Sequence, residues 1–281
     1  MTLARTEHNT NIVLGAGEIY FDRQDADGNY TGERYLGDSV GATLSLATER
    51  TTIQSGDGAV AQDLVDIVRS VSRTMGFTLR DSSIANWALF LIGDEETETI
   101  AADAAIAEHS LGALKVGRWA QVGRTSTRPN GVGAINKTGF VAKDGNTAIA
   151  ANTIHYSDES GDPGADDKLL VDLKTGRVQA LSADIGNLKV ACTAVGRKIS
   201  RAKATADARR LEGALRYLED DPTAGKGRSV YVRKCNLAPG GEAALKSRDT
   251  EQQLAFTASV QDPTDDGDNK YPAISIDGEE L

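Results

Sequence analysis

Two acidic segments of the sequence contain residue types that could bind calcium. The segment DADG ends at Gly28 and the segment DPTDDG ends at Gly267. An EF-hand loop needs a ligand at its first position, glycine at its sixth and a bidentate glutamate at its twelfth. Aligning Gly28 with the sixth position puts Arg23 and Arg34 at the first and twelfth, and aligning Gly267 puts Ala273 at the twelfth. The sequence therefore predicts turns at both segments and no bound metal.

Signals for other chemistries are weaker. The segment GAG at 15–17 lacks the third glycine of a dinucleotide-binding loop and runs on into EIYF, an extended pattern where a helix would be needed. Lys226 in AGKGRS lacks the earlier glycine of a phosphate-binding loop. His8, His109 and His155 are scattered, and there is no G-x-S-x-G. A Ser-His-Asp triad need not be adjacent in sequence, but nothing marks one, so we expect no cofactor, no catalytic residue and no enzymatic activity.

The composition favours a β-rich protein with an acidic surface. The chain has 281 residues, of which 29 are glycine and 5% aromatic, and its net charge is −10. Many glycines and few large side chains are typical of short strands joined by turns. Affinity for DNA phosphates comes from lysine and arginine, so we expect no DNA binding by charge. An acidic passage would instead let DNA slide through without sticking.

The sequence also indicates where the protein is made. Cys192 and Cys235 fall in predicted strands, and we expect two reduced, buried thiols, since nothing supports a disulfide. Residues 1–10 are polar and lack the apolar centre of a signal peptide. No apolar run approaches the roughly 20 residues that span a bilayer. We therefore expect synthesis in a cytoplasm and no membrane insertion.

Three strands are predicted between residues 211 and 260. A spacing of two puts alternate side chains on one face of a sheet. The segments DDPTAGKG and PGGEAALKS separate the strands, and their proline and glycines are typical of chain reversals. The apolar positions at this spacing are Leu211, Leu215, Tyr217, Val230, Val232, Leu254, Phe256, Ala258 and Val260.

The clearest half-buried strand lies nearer the N-terminus. Leu44 and Leu46 alternate with Thr43 and Ser45. Residues 49–62 contain SGDG and almost no bulky apolar group, so we expect a long exposed loop or hairpin tip there. The next segment, 63–79, is ambiguous, because its apolar spacing fits a helix while its β-branched residues favour a strand.

A helix is predicted at 82–92. The segment DSS, which ends at Ser83, provides a good N-cap. Apolar residues then recur at helical spacing. The side chains that we expect to pack on the sheet are Ile84, Trp87, Ala88 and Leu91.

The order of these segments resembles that of the major tail tube proteins of long-tailed, siphovirus-like bacteriophages. The C-terminal part of the resemblance is a hairpin with the loop DDPTAGKG, the basic strand SVYVRKCNL, the connector PGGEAALKS and the strand QQLAFTASV. The N-terminal part runs from GAGEIYF through ATLSLATERTTIQS to VSRTMGFTLRDSSIANWALFLIGD. The resemblance covers residues 12–93 and 211–260 and rests on order and turn placement. It places a long strand at 63–79, which we follow.

The resemblance implies a mainly β fold of two packed antiparallel sheets, a tail-tube-like β-sandwich or half-open barrel, with one flanking helix. It implies a structural virion protein of the tail, made in the bacterial cytoplasm, whose hexameric rings stack into the hollow tube that delivers DNA. The implied partners are copies of the chain itself, the tape-measure protein in the lumen, the tail terminator and the distal tail or baseplate proteins. Viral DNA passes through without specific binding, and no cofactor is implied.

This interpretation divides the chain into a flexible arm at 1–11, a β domain at 12–261 with a long insertion at about 143–206, and a C-terminal extension at 262–281. The extension is expected to add a strand to a neighbouring subunit or to stay flexible. The arm, the segment 49–62 and the extension are candidates for ring stacking, and the basic strand could meet acidic residues of the next subunit. The interface candidates are Thr2, Leu3, Thr10, Glu49, Arg50, Thr52, Gln54, Asp57, Arg228, Arg233, Lys234, Ile274 and Ile276.

Two alternative functions stay open at this point. A secreted or surface β-sandwich that binds other molecules, as adhesins do, would have a similar strand pattern, although the polar N-terminus counts against it. The tube subunit of a contractile tail or secretion system shares the ring architecture. In any of these proteins we expect Trp87 and Trp119 to be core or interface anchors rather than platforms for a ligand.

Overall fold

The chain folds into a mainly β protein, as predicted. The computed structural model describes residues 15–57, 63–204, 210–220, 227–263 and 272–278. Strands account for 59% of the structure and helices for 5%. In chain order the strands are β1 (Ala16–Arg23), β2 (Arg34–Tyr35), β3 (Ser39–Gln54), β4 (Asp63–Leu79), β5 (Gly93–Ile100), β6 (Ala104–Leu114), β7 (Trp119–Gln121), β8 (Ile135–Asp144), β9 (Thr147–Ala148), β10 (Ile154–Tyr156), β11 (Leu169–Asp172), β12 (Arg177–Ala180), β13 (Ile185–Ala194), β14 (Arg197–Ala204), β15 (Leu211–Asp220), β16 (Ser229–Pro239), β17 (Leu254–Val260) and β18 (Ile274–Asp277).

The chain divides into two compact units. One consists of the segments up to Glu96 and from Arg201, and the other is Thr97–Ser200. The insertion expected at about 143–206 overlaps the second unit, which begins earlier. It begins earlier because β6 and β8 pair with β13 inside that unit. β6 lies wholly before residue 143, and β8 begins before it. The strands β5 and β14 pair with each other, and each carries the chain from one unit to the other.

The first unit is built on an eight-stranded sheet. Its order is β2-β1-β15-β16-β17-β4-β3, with β18 paired to β16, and its pairs are antiparallel. The three strands predicted within 211–260 are β15, β16 and β17, and they lie side by side in the middle of the sheet. The spacing of two holds, since Leu254, Phe256 and Ala258 are all buried. The strand at 63–79 is also confirmed as β4.

Three aromatic rings form part of the core of this unit. Phe256 on β17 stacks on Phe77 on β4, with 5.4 Å between ring centres. The ring of Phe90 meets Phe256 edge-on at 5.9 Å. Offset and edge-on arrangements are the favoured geometries of aromatic pairs. The rings therefore join the helical segment, β17 and β4 into one apolar cluster.

The predicted helix exists but is shorter than expected. The helix α1 is Ile84–Phe90, and the Ser83 hydroxyl accepts a hydrogen bond from the Asn86 backbone N–H, as an N-cap does. At seven residues α1 is a little under two turns long. Within the described ranges, the chain has no helix that is both long and apolar enough to cross a bilayer.

The packing face of α1 differs from the prediction. Ala88 and Leu89 are buried and Trp87 packs against the core, whereas Ile84 and Leu91 are 39% and 40% exposed. Two of the four residues predicted to pack on the sheet therefore do not. Ile84 is the first residue of the helix and Leu91 lies just beyond its last. With Ala88 and Leu89 buried in between, the side chains of Ile84 and Leu91 point outward.

A buried asparagine orients the helix. Asn86 is completely buried, and its side-chain amide donates to the carbonyl oxygens of Leu36 at 2.7 Å and Asp81 at 2.9 Å. Its side-chain oxygen accepts a hydrogen bond from Arg34 at 3.0 Å. A buried polar group costs free energy unless it is hydrogen-bonded, and here the amide's partners are in place. The polar contacts therefore fix how α1 meets the chain before and after it.

The second unit consists of two four-stranded sheets, ordered β10-β11-β12-β7 and β6-β13-β8-β9. Their pairs are antiparallel except for β10 and β11, which are parallel. One apolar cluster contains buried side chains from both sheets, which is a sandwich-like arrangement. The fully buried residues Val178 on β12 and Val190 on β13 are examples from the two sheets. The turn DLKTGR joins β11 and β12 as an antiparallel hairpin.

The two cysteines are buried and unpaired, as predicted. Burial raises the pKa of the Cys192 thiol to about 11 and that of Cys235 to about 12. The thiolate is the reactive form, so at neutral pH almost none of either thiol is reactive. We expect neither cysteine to react with an aromatic disulfide reagent until the protein is unfolded in urea. Fast labelling of the native protein, read by absorbance, would contradict the buried positions.

Candidate assembly surface

The segment 49–62, expected to be a long exposed loop or a hairpin tip, belongs to the outer part of a β-hairpin. β3 continues to Gln54 and β4 begins at Asp63, so Glu49, Arg50 and Thr52 lie in a strand. The loop interpretation rested on the lack of bulky apolar residues, but a two-stranded hairpin exposed on both faces does not need them. Asp57 is exposed near the tip, while residues 58–62 lie outside the described part of the chain. The candidates Thr2, Leu3 and Thr10 also lie outside it.

This hairpin extends beyond the sheet that anchors it. β17 pairs with β4 only over residues 74–79. Past that point β3 and β4 have only each other, so residues 46–54 and 63–73 form a two-stranded ribbon. All residues of this ribbon are exposed. An isolated two-stranded ribbon is marginally stable in water, which makes this ribbon a candidate for contact with another chain.

One face of the hairpin carries apolar side chains that nothing in the described chain covers. At the base, Met75 on this face is buried. Leu44 lies opposite Met75, and Leu46, Val71 and Val68 continue the same face outward. Their cross-strand partners are Arg73, Thr48 and Arg50. Leu44, Leu46, Val68 and Val71 are between 42% and 63% exposed. We call these four residues the apolar face of the hairpin.

A β-bulge keeps this face continuous. Glu49 pairs with Ser70 and Arg50 pairs with Val68, so Arg69 is the extra residue of β4. A residue inserted in one strand shifts its alternation by one position. Without the bulge Val68 would point away from Val71, and with it both lie on one face. The spacing of Val68 and Val71 is three, which is why the sequence alone left helix and strand in competition there.

The opposite face of the hairpin is different near the base. Across the two strands Ser45 pairs with Thr74, Ala47 with Ser72 and Glu49 with Ser70, so near the base this face is small or polar. The exposed residues Ile53, Val65 and Ile67 appear on this face only towards the tip. The two faces are therefore distinguishable, and substitutions can be placed on one face at a time.

Three of the predicted interface residues bond within the hairpin. Arg50 donates to Asp66 at 2.6 Å, Gln54 donates to Asp63 at 3.0 Å, and Glu49 accepts from Ser70 at 3.1 Å. Exposed ion pairs contribute only about 0–1 kcal/mol each. Cross-strand pairs nevertheless help to define register. In this chain the side chains of Glu49, Arg50 and Gln54 form hydrogen bonds that hold β3 against β4.

The hairpin also presents an open strand edge. β3 is the last strand of the sheet, and none of the described strands pairs with its outer side. At the other end of the sheet, β2 covers only Tyr20 and Phe21 of β1. An edge strand has a row of unpaired N–H and C=O groups that can pair with another chain. The sixteen-residue edge of β3 is therefore a second feature suited to assembly.

Two of the three basic residues that were candidates for contact with the next subunit are buried or half-buried within their own chain. Lys234 is only 8% exposed and Arg233 is half-buried. The Arg228 guanidinium lies 3.8 Å from the Glu219 carboxylate of the same chain. Arg233 and Lys234 lie in β16, and Arg228 directly precedes it. β16 is a central strand with β15 on one side and β17 and β18 on the other. Central position covers side chains that an edge strand would expose.

The C-terminal extension pairs with its own sheet, whereas we expected it to reach a neighbouring subunit or stay flexible. β18 runs antiparallel to β16 over residues 229–232. Ile274 is half-buried and packs against the core, while Ile276 is 57% exposed. Of the two candidates, Ile276 is thus the one that another chain could contact. The sheet accepts β18 because β17 leaves this half of β16 unpaired.

The acidic turn considered for calcium is held by its own backbone. The Asp25 carboxylate accepts hydrogen bonds from the backbone N–H groups of Asp27 and Asn29, both at 2.9 Å. Hydrogen bonds to the charged form, that from Asn29 first, lower the pKa of Asp25. Across the described residues, no three or more histidine, cysteine, aspartate or glutamate side chains are grouped as metal ligands would be.

The residues that form the apolar face were partly visible in the sequence. The alternation of Leu44 and Leu46 predicts a strand buried on one side; the strand exists, but that side is uncovered. Val68 and Val71 were not singled out as surface residues. No known protein-family model and no curated protein matches this chain.

Proposed function

We propose that this chain is a structural protein that polymerises as stacked, hexameric rings into the hollow tail tube of a long-tailed bacteriophage. The observation that supports it best is the apolar face of the hairpin, which continues a buried face into solvent. Exposed apolar surface of this kind marks a contact with another molecule. The order of sequence segments, which resembles tail tube subunits, indicates that this molecule is a second copy of the chain.

The energetics favour burial of the hairpin between subunits. Covering a half-exposed aliphatic side chain contributes about 1 kcal/mol. The apolar face has four such side chains in each subunit, and a closed ring repeats the contact once per subunit. Contacts that are individually small then sum to a stiff assembly. The ribbon itself, marginal when alone, becomes ordered by the same contact.

The open edges supply the second element of the proposal. Joining the edge of β3 to the sheet of a neighbour satisfies its unpaired backbone groups, and a closed ring leaves no such edge. Stacking of rings uses a different, heterologous contact that does not close, and such contacts generate a filament. The residues suited to the lateral contact are thus Leu44, Leu46, Val68 and Val71 with the edge of β3.

The charge of the chain fits a passage for DNA. The net charge is −10, and acidic groups facing a lumen repel phosphates. In the proposed tube, viral DNA passes without specific binding, the tape-measure protein occupies the lumen during assembly, and the terminator and distal tail proteins cap the ends. These partners follow from the resemblance to tail tube proteins.

Electron microscopy of the concentrated, purified protein tests the proposal. We expect negatively stained rings or hollow rods with an axial hole, because the same lateral and stacking contacts repeat in every subunit. Sedimentation velocity on the same sample should show large polymers together with monomers. If the chain stays monomeric even when a tail initiator complex is added, the tube proposal is wrong and a binding module becomes the better description.

A further inference from the structure

The second unit contains an open cavity of about 860 Å³ beside β7. Its wall is formed by the end of β6, by β7, by the loop at 124–129 and by the first residue of β12. No aspartate or glutamate lines it. The cationic side chains that line it are Lys115, Arg118, Arg124 and Arg177.

The concentration of positive charge here contrasts with the rest of the chain. In Thr97–Ser200 lysines and arginines slightly outnumber the acids, so the excess negative charge belongs to the other unit. Lys115 is neutralised by Asp184, whose carboxylate lies 2.8 Å from its amine. Arg118 and Arg124 are exposed, and neither has an acidic partner among the described residues. Two guanidinium groups are thus available to an anion.

Trp119 adds an aromatic surface to the same cavity. The antiparallel pairing of β7 with β12 puts Arg177 opposite Gln121 and its guanidinium 5.1 Å from the centre of the Trp119 ring. Trp119 is 38% exposed and so is not a core residue. Thr125 and Ser126 bring hydroxyl groups to the cavity.

We propose that this cavity binds an acidic oligosaccharide, a short chain of sugar rings that carry carboxylate groups. The proposal is independent of the tube, because every residue it uses lies in the second unit. The volume is within the roughly 300–1,000 Å³ of small-molecule sites. Guanidinium groups bind carboxylates through two parallel hydrogen bonds, a tryptophan ring packs against the apolar C–H face of a sugar, and hydroxyl side chains match sugar hydroxyls.

A single strand of nucleic acid fits the cavity less well. Proteins that bind such strands have a basic groove that follows the backbone for several nucleotides and several rings on which successive bases stack. Here the cations surround one place, and Trp119 is the one aromatic ring among the lining residues, so there is no second ring on which a following base could stack. The chemistry therefore favours the sugar over the nucleic acid.

Isothermal titration calorimetry with the full-length chain tests the site. The ligand is a short oligomer of galacturonic acid, and the matched ligand is a neutral oligomer of galactose of the same length. We expect the acidic oligomer to bind and the neutral one to bind at least about tenfold more weakly, because it lacks the carboxylates. Arg118→Gln and Arg124→Gln should each lower the affinity for the acidic oligomer by about tenfold. Trp119→Ala should lower the affinity for both oligomers.

Controls separate a lost site from a lost fold. Arg118 and Arg124 are exposed, so both variants should keep the circular dichroism spectrum and melting temperature of the native chain. Arg248→Gln removes an exposed arginine from the other unit and should leave affinity unchanged. The proposal would be overturned if the neutral oligomer bound as tightly as the acidic one, or if the double variant Arg118→Gln/Arg124→Gln kept the native affinity. It would also be overturned if inorganic phosphate bound as tightly as the acidic oligomer, or if single-stranded DNA bound more tightly.

Discussion

The double variant Leu46→Asp/Val68→Asp is expected to remain a folded monomer at concentrations where the native chain polymerises. Both side chains lie on the apolar face of the hairpin and are 63% and 47% exposed in the single chain. Aspartate is therefore tolerated in the monomer, where water solvates it. In the proposed ring each carboxylate would be buried against apolar groups, which costs several kcal/mol per ion. Repeated at every contact, that cost prevents assembly.

The matched control places the same charges on the other face of the hairpin. Ser45→Asp/Ser72→Asp adds two carboxylates to the small, polar face near the base. We expect this control to polymerise much more readily than Leu46→Asp/Val68→Asp. Negative-stain microscopy and sedimentation velocity measure assembly, and circular dichroism measures folding. Normal tubes from Leu46→Asp/Val68→Asp would show that the apolar face is not a subunit contact.

The variant Phe256→Ala is expected to destabilise the first unit by about 3–5 kcal/mol, the usual cost of removing a buried phenylalanine. Phe256 is 2% exposed and contacts the rings of Phe77 and Phe90. Truncation leaves a cavity between β17, β4 and α1, and removes both ring pairs. Because a domain is stable by only about 5–15 kcal/mol, this is a large fraction of the total. Urea unfolding followed by circular dichroism measures the change in the free energy of unfolding.

The second unit provides the comparison for this variant. Phe140→Ala removes a ring that is 8% exposed and meets Tyr156 edge-on at 6.0 Å. Hydrogen exchange read by mass spectrometry should show faster exchange in β4 and β17 for Phe256→Ala, and in β8 and β10 for Phe140→Ala. A loss below about 1 kcal/mol for Phe256→Ala would mean that the ring cluster is not the packed core that the distances describe.

Much of the strand arrangement could be predicted because it depends on local alternation. The sequence predicts β15, β16 and β17 from apolar residues at a spacing of two and from the turns between them. The strand β4 follows from the resemblance to tail tube proteins, because its own apolar spacing fits a helix while its β-branched residues favour a strand. Helix α1 was expected from its N-cap and apolar spacing. Its buried face was not, since Asn86 is buried with hydrogen bonds to the backbone of Leu36 and Asp81 and to the Arg34 side chain, and no sequence pattern marks a polar residue as a core residue.

By itself, the sequence determined that this protein is mainly β, where the strands β3, β15, β16 and β17 and the helix lie, and that its cysteines are buried, because these properties follow from the order of neighbouring side chains. The tertiary structure alone decided which apolar faces are covered. Leu254 and Leu46 belong to equally regular patterns, yet one is buried and the other is 63% exposed, because burial depends on whether another strand or helix packs there. The same holds for charge: Lys234 is buried in a central strand, and Arg118, Arg124 and Arg177 meet at one cavity only because β7 pairs with β12.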